Sequence, residues 1–394
     1  MFLRFLSRHF LANEPFLHLK LSFSTIQEPL QLGRNSMNLR MGIVGMANVG
    51  KSTTFNLLTN LNVPAENFPF CTIDPNLSVV PIPDPRFEKL CNIFNPKKKS
   101  PATLSIIDIA GLVKGASEGY GLGNEFLAHI QSVDGIFHII RGFDYENIVH
   151  TEGVMDPYRD LNIIIEELTA KDLQYLEKRL EEAKKKIRNS KDKDLIANFE
   201  VLSRANENLR KKNSLKNVKW TNQEIEKLNK HLFLTAKPMI YLINLSKMEF
   251  EKILKKEKID KKYLENIENW VKKNGGGQII PYSAEYEKEN PNSKNSLIKT
   301  IILSGYKLLK FIHFFTVGSD EVRCWTIRDN MVASAAAGLI HTDFQKYFVS
   351  AEVCSYEDFI KTGQDKISRA LKKEGKNYKI KDGDIITFKS KSHK

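Results

Sequence analysis

Five short apolar runs, separated by longer stretches of helical periodicity, set the first limit on the fold of this 394-residue chain. Continuous apolar runs of this length are typical of parallel strands in a sheet that helices cover on both faces. The sequence therefore predicts an α/β domain built on a parallel sheet. The runs are LRMGIVG (39–45), TLSIID (103–108), GIFHII (135–140), PMIYLIN (238–244) and QIIPYS (278–283).

A segment of different composition, rich in Lys and Glu, lies between the third and fourth runs. Its apolar residues recur at spacings of three and four, which predicts two short amphipathic helices folded back as a coiled-coil hairpin. The hairpin is either an ordinary insertion with a solvated basic face or a dedicated binding arm. The apolar positions are Leu173, Leu176, Leu180, Ala183 and Ile187, then Leu195, Phe199, Leu202 and Leu209.

After Tyr306 the pattern changes to short strands and turns, including EVRCWTI, YFVSAEV and KIKDGDIITFK. These runs predict a small mixed domain, with Phe314, Phe315 and Trp325 in its core. The chain is therefore divided into four parts. They are an N-terminal extension (1–38), the α/β domain (39–305), its helical insertion (151–232) and the small domain (306–391).

Residues 1–38 hold four Lys or Arg residues and two Glu residues, with Phe and Leu at roughly helical spacing. This composition resembles a transit peptide for a mitochondrion or plastid. The alternative is a plain extension, or an upstream start codon with Met37 as the working initiator, in a cytoplasmic protein.

The chain is basic, with 60 Lys+Arg against 47 Asp+Glu and a formal net charge of +13. The excess lies in two regions, 171–230 with 17 basic and 10 acidic residues and 361–394 with 11 and 4. This balance favours polyanionic partners such as RNA.

The cysteines and the hydropathy indicate a soluble, intracellular protein. The four cysteines are scattered without a Cys-x-x-Cys pair, which argues against a disulfide framework or a Cys-based zinc site. No run reaches the roughly 18 apolar residues that a membrane span requires, so no membrane partner is expected.

Residues 45–52 (GMANVGKS) fit G-x-x-x-x-G-K-[ST] and lie between the first apolar run and a helical stretch at 53–61. That strand–loop–helix context is the one that the phosphate-binding loop requires. Gly45 and Gly50 let backbone N–H groups wrap the phosphates, Lys51 reaches the β- and γ-phosphates, and Ser52 offers its hydroxyl to Mg²⁺.

The second half of such a site follows the second apolar run, at Asp108-Ile-Ala-Gly111. Asp108 is expected to hold Mg²⁺ through water, and the Gly111 amide to face the γ-phosphate. Thr72 is a candidate second hydroxyl ligand of the metal. Leu112 stands where G proteins place the Gln that orients the attacking water, which predicts slow basal hydrolysis.

The base-recognition positions depart from those of GTP-binding proteins. Such proteins read guanine with Asn-Lys-x-Asp, whereas this chain has NLSK at 244–247. Lys247 cannot accept hydrogen bonds from guanine, so guanine selectivity is not expected. The remaining base-contacting loop of this architecture corresponds to Ser283, Ala284 and Glu285.

At these residues the chain resembles the Obg-like ATPases of the YchF type. The resemblance covers about 39–390 and implies an ATP-preferring hydrolase with a G-protein-like domain, a helical insertion and a C-terminal TGS domain of β-grasp type, associated with ribosomes. It assigns Mg²⁺ to Ser52 and Thr72 and the adenine-side contact to Leu245, beside Asn244. The phosphate-binding residues that it assigns are Asn48, Val49, Gly50, Lys51, Ser52 and Thr53. Its motifs are GMANVGKSTTFN, ENFPFCTIDPN, DIAGLVKGA, GLGNEFLAHI, NKHLFLTAKPMIYLINLS, FFTVGSDEVRCWTIR and IHTDF.

Two positions depart from the family pattern. The family usually has Glu where this chain has Lys247, and it commonly has a His, suspected of assisting hydrolysis, where this chain has Ser117. With neither a Gln nor that His, help in hydrolysis would come from Mg²⁺, Lys51, a monovalent cation such as K⁺ held near Asn48, or a partner.

Three functions follow from these features. The first is a slow ATPase whose nucleotide state controls docking on a ribosome or ribosomal subunit through ribosomal RNA. The second is a GTPase of the same build, with GTP otherwise the weaker ligand. The third is a nucleotide-gated regulator with little turnover.

Overall fold

The computed structural model describes residues 31–33, 39–60, 76–109, 128–145, 154–188, 192–257, 262–291, 293–362 and 371–391. Most of the predicted extension lies outside these ranges. Residues 31–33 pack on the folded body, where the Gly33 N–H donates to Asn229 Oδ1 over 2.7 Å and Asn229 Nδ2 donates to the Gln31 carbonyl over 2.9 Å.

The strands of the described ranges form two six-stranded sheets. In chain order they are β1 (Arg40–Val44), β2 (Leu77–Pro81), β3 (Lys98–Ser100), β4 (Thr103–Asp108), β5 (Gly135–Gly142), β6 (Met239–Leu245), β7 (Gln278–Tyr282), β8 (Phe311–Thr316), β9 (Glu321–Arg328), β10 (Phe348–Ser355), β11 (Lys372–Glu374) and β12 (Asp384–Ser390).

The helices of these ranges are likewise named in chain order. They are α1 (Lys51–Thr59), α2 (Pro85–Phe94), α3 (Pro157–Arg188), α4 (Lys193–Arg210), α5 (Asn222–Asn229), α6 (Lys247–Leu254), α7 (Lys262–Lys273), α8 (Ala284–Glu289), α9 (Ile298–Leu308), α10 (Ala333–Ile340), α11 (Thr342–Lys346) and α12 (Tyr356–Thr362).

The first sheet has the order β2-β4-β1-β5-β6-β7 and contains all five predicted strands. Every residue of β5 and β6 is buried, which explains why these strands are continuous apolar runs. The five predicted strands are parallel to one another, and the edge strand β2, which was not predicted, runs antiparallel to β4. An edge strand has one neighbour only, and an antiparallel edge on an otherwise parallel sheet is common.

The predicted helical hairpin is formed by α3 and α4, but its first helix is not short. α3 has 32 residues, and its N-terminal half, including Leu161, Ile164 and Leu168, is buried in the core of the first sheet. The same helix then continues as the first arm of the hairpin, whose seam includes Leu176 and Leu202. The apolar stripe of α3 packs first on the first sheet and then on α4, so one long helix serves both contacts.

The second sheet has the order β11-β10-β12-β8-β9-β3. Its C-terminal strands and α10 form the predicted β-grasp arrangement, in which β8 and β12 are parallel and their outer neighbours β9 and β10 are antiparallel to them. β3 was not predicted. It comes from the α/β domain and pairs in parallel with β9, Lys98 opposite Glu321.

The predicted aromatic core residues of the small domain divide between two cores. Phe314 is fully buried in the cluster beneath α10, with the half-buried Trp325 stacked at a ring-centroid distance of 6.3 Å. Phe315, the next residue along β8, points to the other face and belongs to the main core of the α/β domain. The sheet of the small domain is therefore covered on both faces.

The cysteines of the described ranges are buried free thiols at positions 91, 324 and 354. Cys71 lies outside those ranges. Among the described helices, none combines the length and the apolarity that crossing a bilayer requires.

Candidate functional site

The loop at 45–50 connects β1 to α1 and takes a conformation that depends on its glycines. Asn48 has φ 60° and Gly50 has φ 98°, both in the left-handed region. A Cβ atom on Gly45 would lie 2.7 Å from the Ile139 carbonyl oxygen, and one on Gly50 would lie 2.5 Å from Asn244 Nδ2. The backbone can therefore curve closely between β5 and β6 only without these side chains.

Lys51, Ser52 and Asp108 lie together at the carboxyl ends of β1 and β4. The Lys51 ammonium donates to the Met46 carbonyl over 2.7 Å, and the Ser52 hydroxyl donates to Asp108 Oδ2 over 2.9 Å. Burial lowers the pKa of Lys51, and the Asp108 carboxylate partly opposes that change. Burial also raises the pKa of Asp108, against the Ser52 hydrogen bond and the Lys51 charge. The Lys51 ammonium and the Asp108 carboxylate therefore interact in a partly desolvated site.

The second oxygen of Asp108 is the feature that a metal would satisfy. Oδ1 is buried and makes no hydrogen bond to any residue within the described ranges. A carboxylate oxygen next to a serine hydroxyl is the kind of hard donor set that Mg²⁺ prefers, directly or through water. Ser52 and Asp108 therefore fit the predicted magnesium site.

Asn244 connects the phosphate loop to the loop after β7. Its Nδ2 donates to the Val49 carbonyl over 3.0 Å, and its Oδ1 accepts from the Ala284 N–H over 2.9 Å. The neighbouring Leu245 is 1% exposed and its side chain belongs to the core. The predicted base positions are thus adjacent, with Asn244 as the brace between them.

Ser283 and Glu285 have different roles in the loop after β7. Ser283 is fully buried and caps α8, where its hydroxyl accepts from the Tyr286 N–H over 3.3 Å. Glu285 is exposed, and its Oε2 accepts from the Tyr145 hydroxyl over 2.5 Å and from the Lys247 N–H over 3.3 Å. Burial and the Glu285 carboxylate raise the pKa of Tyr145 to about 12, so the phenol remains a donor at neutral pH.

Four of the predicted positions, Thr72, Gly111, Leu112 and Ser117, lie outside the described residues. Thr53 is exposed on α1, and the adjacent Thr54 is instead buried.

Two contacts at the site involve residues outside the predicted set. The Thr54 hydroxyl lies 2.5 Å from the Tyr282 hydroxyl and also donates to the Gly50 carbonyl over 2.8 Å, which fastens α1 to β7. Tyr145 lies three residues after β5, and this position beyond the carboxyl end of a strand is the signal that could have identified it.

Two family models match the chain. The model described as "50S ribosome-binding GTPase" matches residues 40–198. The YchF-GTPase_C model, described as "Protein of unknown function (DUF933)", matches residues 311–391. Together they cover the phosphate loop, the first arm of the hairpin and the small C-terminal domain.

Several proteins are similar over nearly the whole chain. Obg-like ATPase 1 of Homo sapiens is 46% identical over 383 residues, and that of Caenorhabditis elegans is 45% identical over 380 residues. Each comparison covers 92% of this chain and 95% of the relative. The solved structure of the Schizosaccharomyces pombe YchF GTPase aligns with a TM-score of 0.80 at 39% identity, over 91% of this chain and 100% of that one. The predicted P-loop fold with a C-terminal domain is confirmed.

Proposed function

Because the chain belongs to the YchF family of Obg-like P-loop NTPases, we propose that it is a magnesium-dependent ATPase whose nucleotide state controls docking on a ribosomal particle. The family supports a hydrolase that acts on nucleoside triphosphates. The observation that carries the proposal for this chain is the juxtaposition of Lys51, Ser52 and Asp108 at the mouth of the phosphate loop.

The residues of the site have separable roles in this proposal. The flexible stem of Lys51 lets its ammonium exchange the Met46 carbonyl for the β- and γ-phosphate oxygens. Ser52 and Asp108, with Thr72 from the sequence pattern, would hold Mg²⁺, which when bound neutralises charge that develops on the phosphates. The N–H groups of the loop, including that of Gly50, would bind the phosphates, and Gly111 would face the terminal one.

Slow basal turnover is part of the proposal. Leu112 has no donor or acceptor with which to orient water, and Ser117 replaces the His that relatives commonly carry. We expect turnover well below about 10 per second, raised by ribosomes and by K⁺ over Na⁺ if a monovalent cation binds near Asn48.

Docking on RNA is supported by where the basic residues are exposed. The far end of the hairpin exposes Lys184, Lys185, Lys186 and Arg188. The C-terminal sheet and its turns expose Lys372, Lys373, Lys376 and Lys379. Both groups lie within the two basic regions, and lysine-rich surfaces of this kind bind phosphate backbones.

Lys51→Ala tests the assignment of the site. Removing the ammonium should weaken binding of triphosphate by at least about tenfold and abolish hydrolysis, because phosphate charge is then unbalanced in a partly buried site. Nucleotide titration and single-turnover hydrolysis, each with and without ribosomes, measure both effects. Lys299→Ala, an exposed lysine on α9, is the matched control. Unchanged turnover in the Lys51 variant would refute the site.

A GTPase of the same build is the second candidate, because the solved relative is named a GTPase whereas the curated relatives are named ATPases. Side-by-side titration of ATP and GTP with the purified chain decides between the two. A regulator with little turnover would bind nucleotide tightly but show no hydrolysis even with ribosomes.

A further inference from the structure

A hydrogen-bonded group at the carboxyl ends of β5, β6 and β7 connects three residues that no sequence motif joins. The Tyr145 hydroxyl and the Lys247 N–H both donate to Glu285 Oε2, over 2.5 and 3.3 Å. The Lys247 ammonium is paired with Glu289. A carboxylate is therefore held beside the main chain of residue 247, where the family motif ends in an acidic side chain and this chain has lysine.

We propose that Glu285 is the base-recognition carboxylate of this chain, and that Tyr145 is a positioning residue that makes it selective for adenine. The inference rests on the proposed function, because it specifies the base selectivity of the same nucleotide site. Asn244 supports the placement. Its hydrogen bonds to the Val49 carbonyl and the Ala284 N–H fix the Glu285 loop relative to the phosphate loop.

The hydrogen-bonding capacity of Glu285 explains the selectivity. Oε2 already accepts two hydrogen bonds, which fill its two lone pairs. Oε1 accepts none from the part of the chain that the structure describes, so one oxygen is open to a base. The Watson–Crick edge of adenine has one donor group, the 6-amino group. That of guanine has two adjacent donors, N1–H and N2–H₂. Two parallel guanine donors are matched by the two oxygens of one carboxylate. With Oε2 occupied, Oε1 alone can accept from the 6-amino group of adenine, but it can meet only one of the two guanine donors in good geometry.

Tyr145→Phe and Glu285→Ala test the proposal in the full-length chain with Mg²⁺. Tyr145→Phe removes only the hydroxyl and frees a lone pair on Oε2, so the ratio of ATP to GTP affinity should fall by about fivefold. Glu285→Ala removes the acceptor and should weaken ATP and ADP by the same factor, about tenfold, since both carry adenine. Titration with ribose-labelled fluorescent nucleotides gives all of these affinities.

Two exposed positions provide matched controls. Tyr158→Phe on α3 and Glu265→Ala on α7 make the same chemical changes away from the site, and we expect affinity ratios within about twofold of the parent. Thermal denaturation of each variant verifies that its fold is retained.

The outcomes separate this inference from the function on which it rests. An unchanged ATP-to-GTP ratio in Tyr145→Phe, or an unchanged ATP affinity in Glu285→Ala, overturns the inference, while a parent chain that prefers ATP still supports the proposed function. A loss of ATP affinity without an equal loss of ADP affinity in Glu285→Ala also overturns it, because the contact would then lie at the phosphates. A parent chain that binds neither triphosphate overturns both.

Discussion

Asn244, which stands in the predicted base motif, also joins two loops of the protein. Both ends of its amide are used within the protein, one on Val49 of the phosphate loop and one on Ala284 after β7. The side chain is 4% exposed, so a lost partner would leave buried backbone groups unpaired. Because Gly50 lies directly against this amide, the shape of the phosphate loop depends on the absence of a side chain at residue 50.

Gly50→Ala should therefore destabilise the protein more than its backbone angle alone requires. The left-handed φ of 98° costs an alanine about 1–2 kcal/mol, and the new Cβ would also lie 2.5 Å from Asn244 Nδ2. We expect a loss of about 3 kcal/mol in the free energy of unfolding together with weakened nucleotide binding. Urea denaturation and nucleotide titration measure the two effects.

Gly276 provides the control for that prediction. It has φ 74°, but a Cβ there would meet nothing within 4 Å. Gly276→Ala should cost only the backbone strain, about 1–2 kcal/mol, and leave nucleotide binding unchanged. Equal losses in the two variants would mean that the contact with Asn244 is relieved by a small shift and does not shape the loop.

At the scale of residues, the sequence predicts the phosphate-binding part of the site, and it predicts the base-binding part only partly. Residues 45–52 form a local motif, so their role could be read without knowing the fold. The hydrogen bonds among Tyr145, Lys247 and Glu285 join three different strand ends, and no spacing along the chain indicates them. The absence of a motif carboxylate at 247 is visible in the sequence, but its replacement from 285 is visible only in three dimensions.

At the scale of elements, α2 attaches the two domains through its N-terminus. Asp84 caps α2 by accepting from the Arg86 N–H over 2.8 Å, and its Oδ2 also lies 2.7 Å from His313 Nε2 of β8. Arg86 continues to Asp382 in the turn before β12, over 2.9 Å. Burial would raise the pKa of Asp84, but hydrogen bonds from His313 and Arg86 hold it well below its usual range.

Asp84→Asn should lower the free energy of unfolding by about 2–4 kcal/mol at pH 7, because Arg86 and His313 lose a buried carboxylate partner. The depressed pKa of Asp84 also makes the free energy of unfolding depend on pH. In the unfolded chain the pKa of an Asp is about 3.9, whereas in the folded protein the pKa of Asp84 is lower. The Asp84 carboxylate therefore stabilises the fold fully above about pH 3.9, and this stabilisation is lost as the pH falls toward the pKa of the folded state. The parent should lose about 1 kcal/mol more than the variant between pH 6 and pH 3, measured by urea denaturation.

Asp320→Asn is the control for this cluster. Asp320 pairs with Lys97 over 2.9 Å, but both side chains are more than 80% exposed. Exposed pairs contribute about 0–1 kcal/mol, so this variant should stay close to the parent at every pH. Equal effects of the two substitutions would show that the Asp84 cluster is solvated and does not hold the domains together.

The strand β3, which the sequence did not predict, has a partner far away in the chain. β3 has three residues, two of them exposed lysines, and no apolar alternation that could mark a strand. It becomes a strand because the edge of β9 offers backbone groups to pair with. The central strands, by contrast, are buried on both faces and carry their own apolar signal. Strands with apolar runs of their own are therefore predictable from local sequence, whereas an exposed strand such as β3 depends on the tertiary fold.

At the scale of the whole molecule, the proposed docking on RNA predicts that binding weakens as salt rises. Replacing Lys184, Lys185 and Lys186 with Gln should reduce the slope of log affinity against log salt by about 2, since each phosphate contact contributes about 0.7–0.9. Cosedimentation with ribosomal particles from low to moderate ionic strength measures the slope.

Exposed lysines elsewhere control for net charge alone. Replacing Lys252, Lys255 and Lys299, which lie outside both basic regions, should leave the slope nearly unchanged. A parent whose affinity does not vary with salt, or equal effects of the two triple variants, would contradict docking through the hairpin.

The two domains share one core, and this predicts that they unfold together. Phe315, Phe359 and Ile385 from the C-terminal strands and helices belong to the same buried cluster as the first sheet, and β3 of the α/β domain is a strand of the second sheet. Unfolding either domain alone would expose apolar surface of the other, so we expect a single calorimetric transition for the full chain.

Because nucleotide binds only the folded state, Mg²⁺ and ATP at about 100 times the dissociation constant should raise the midpoint temperature of that single transition by about 3–4 °C. The tryptophans report on both parts, Trp270 from α7 and Trp325 from β9. Two transitions, with only one of them moved by nucleotide, would show that the domains are independent and that a nucleotide state at Lys51 has no route through the shared core to the C-terminal surface.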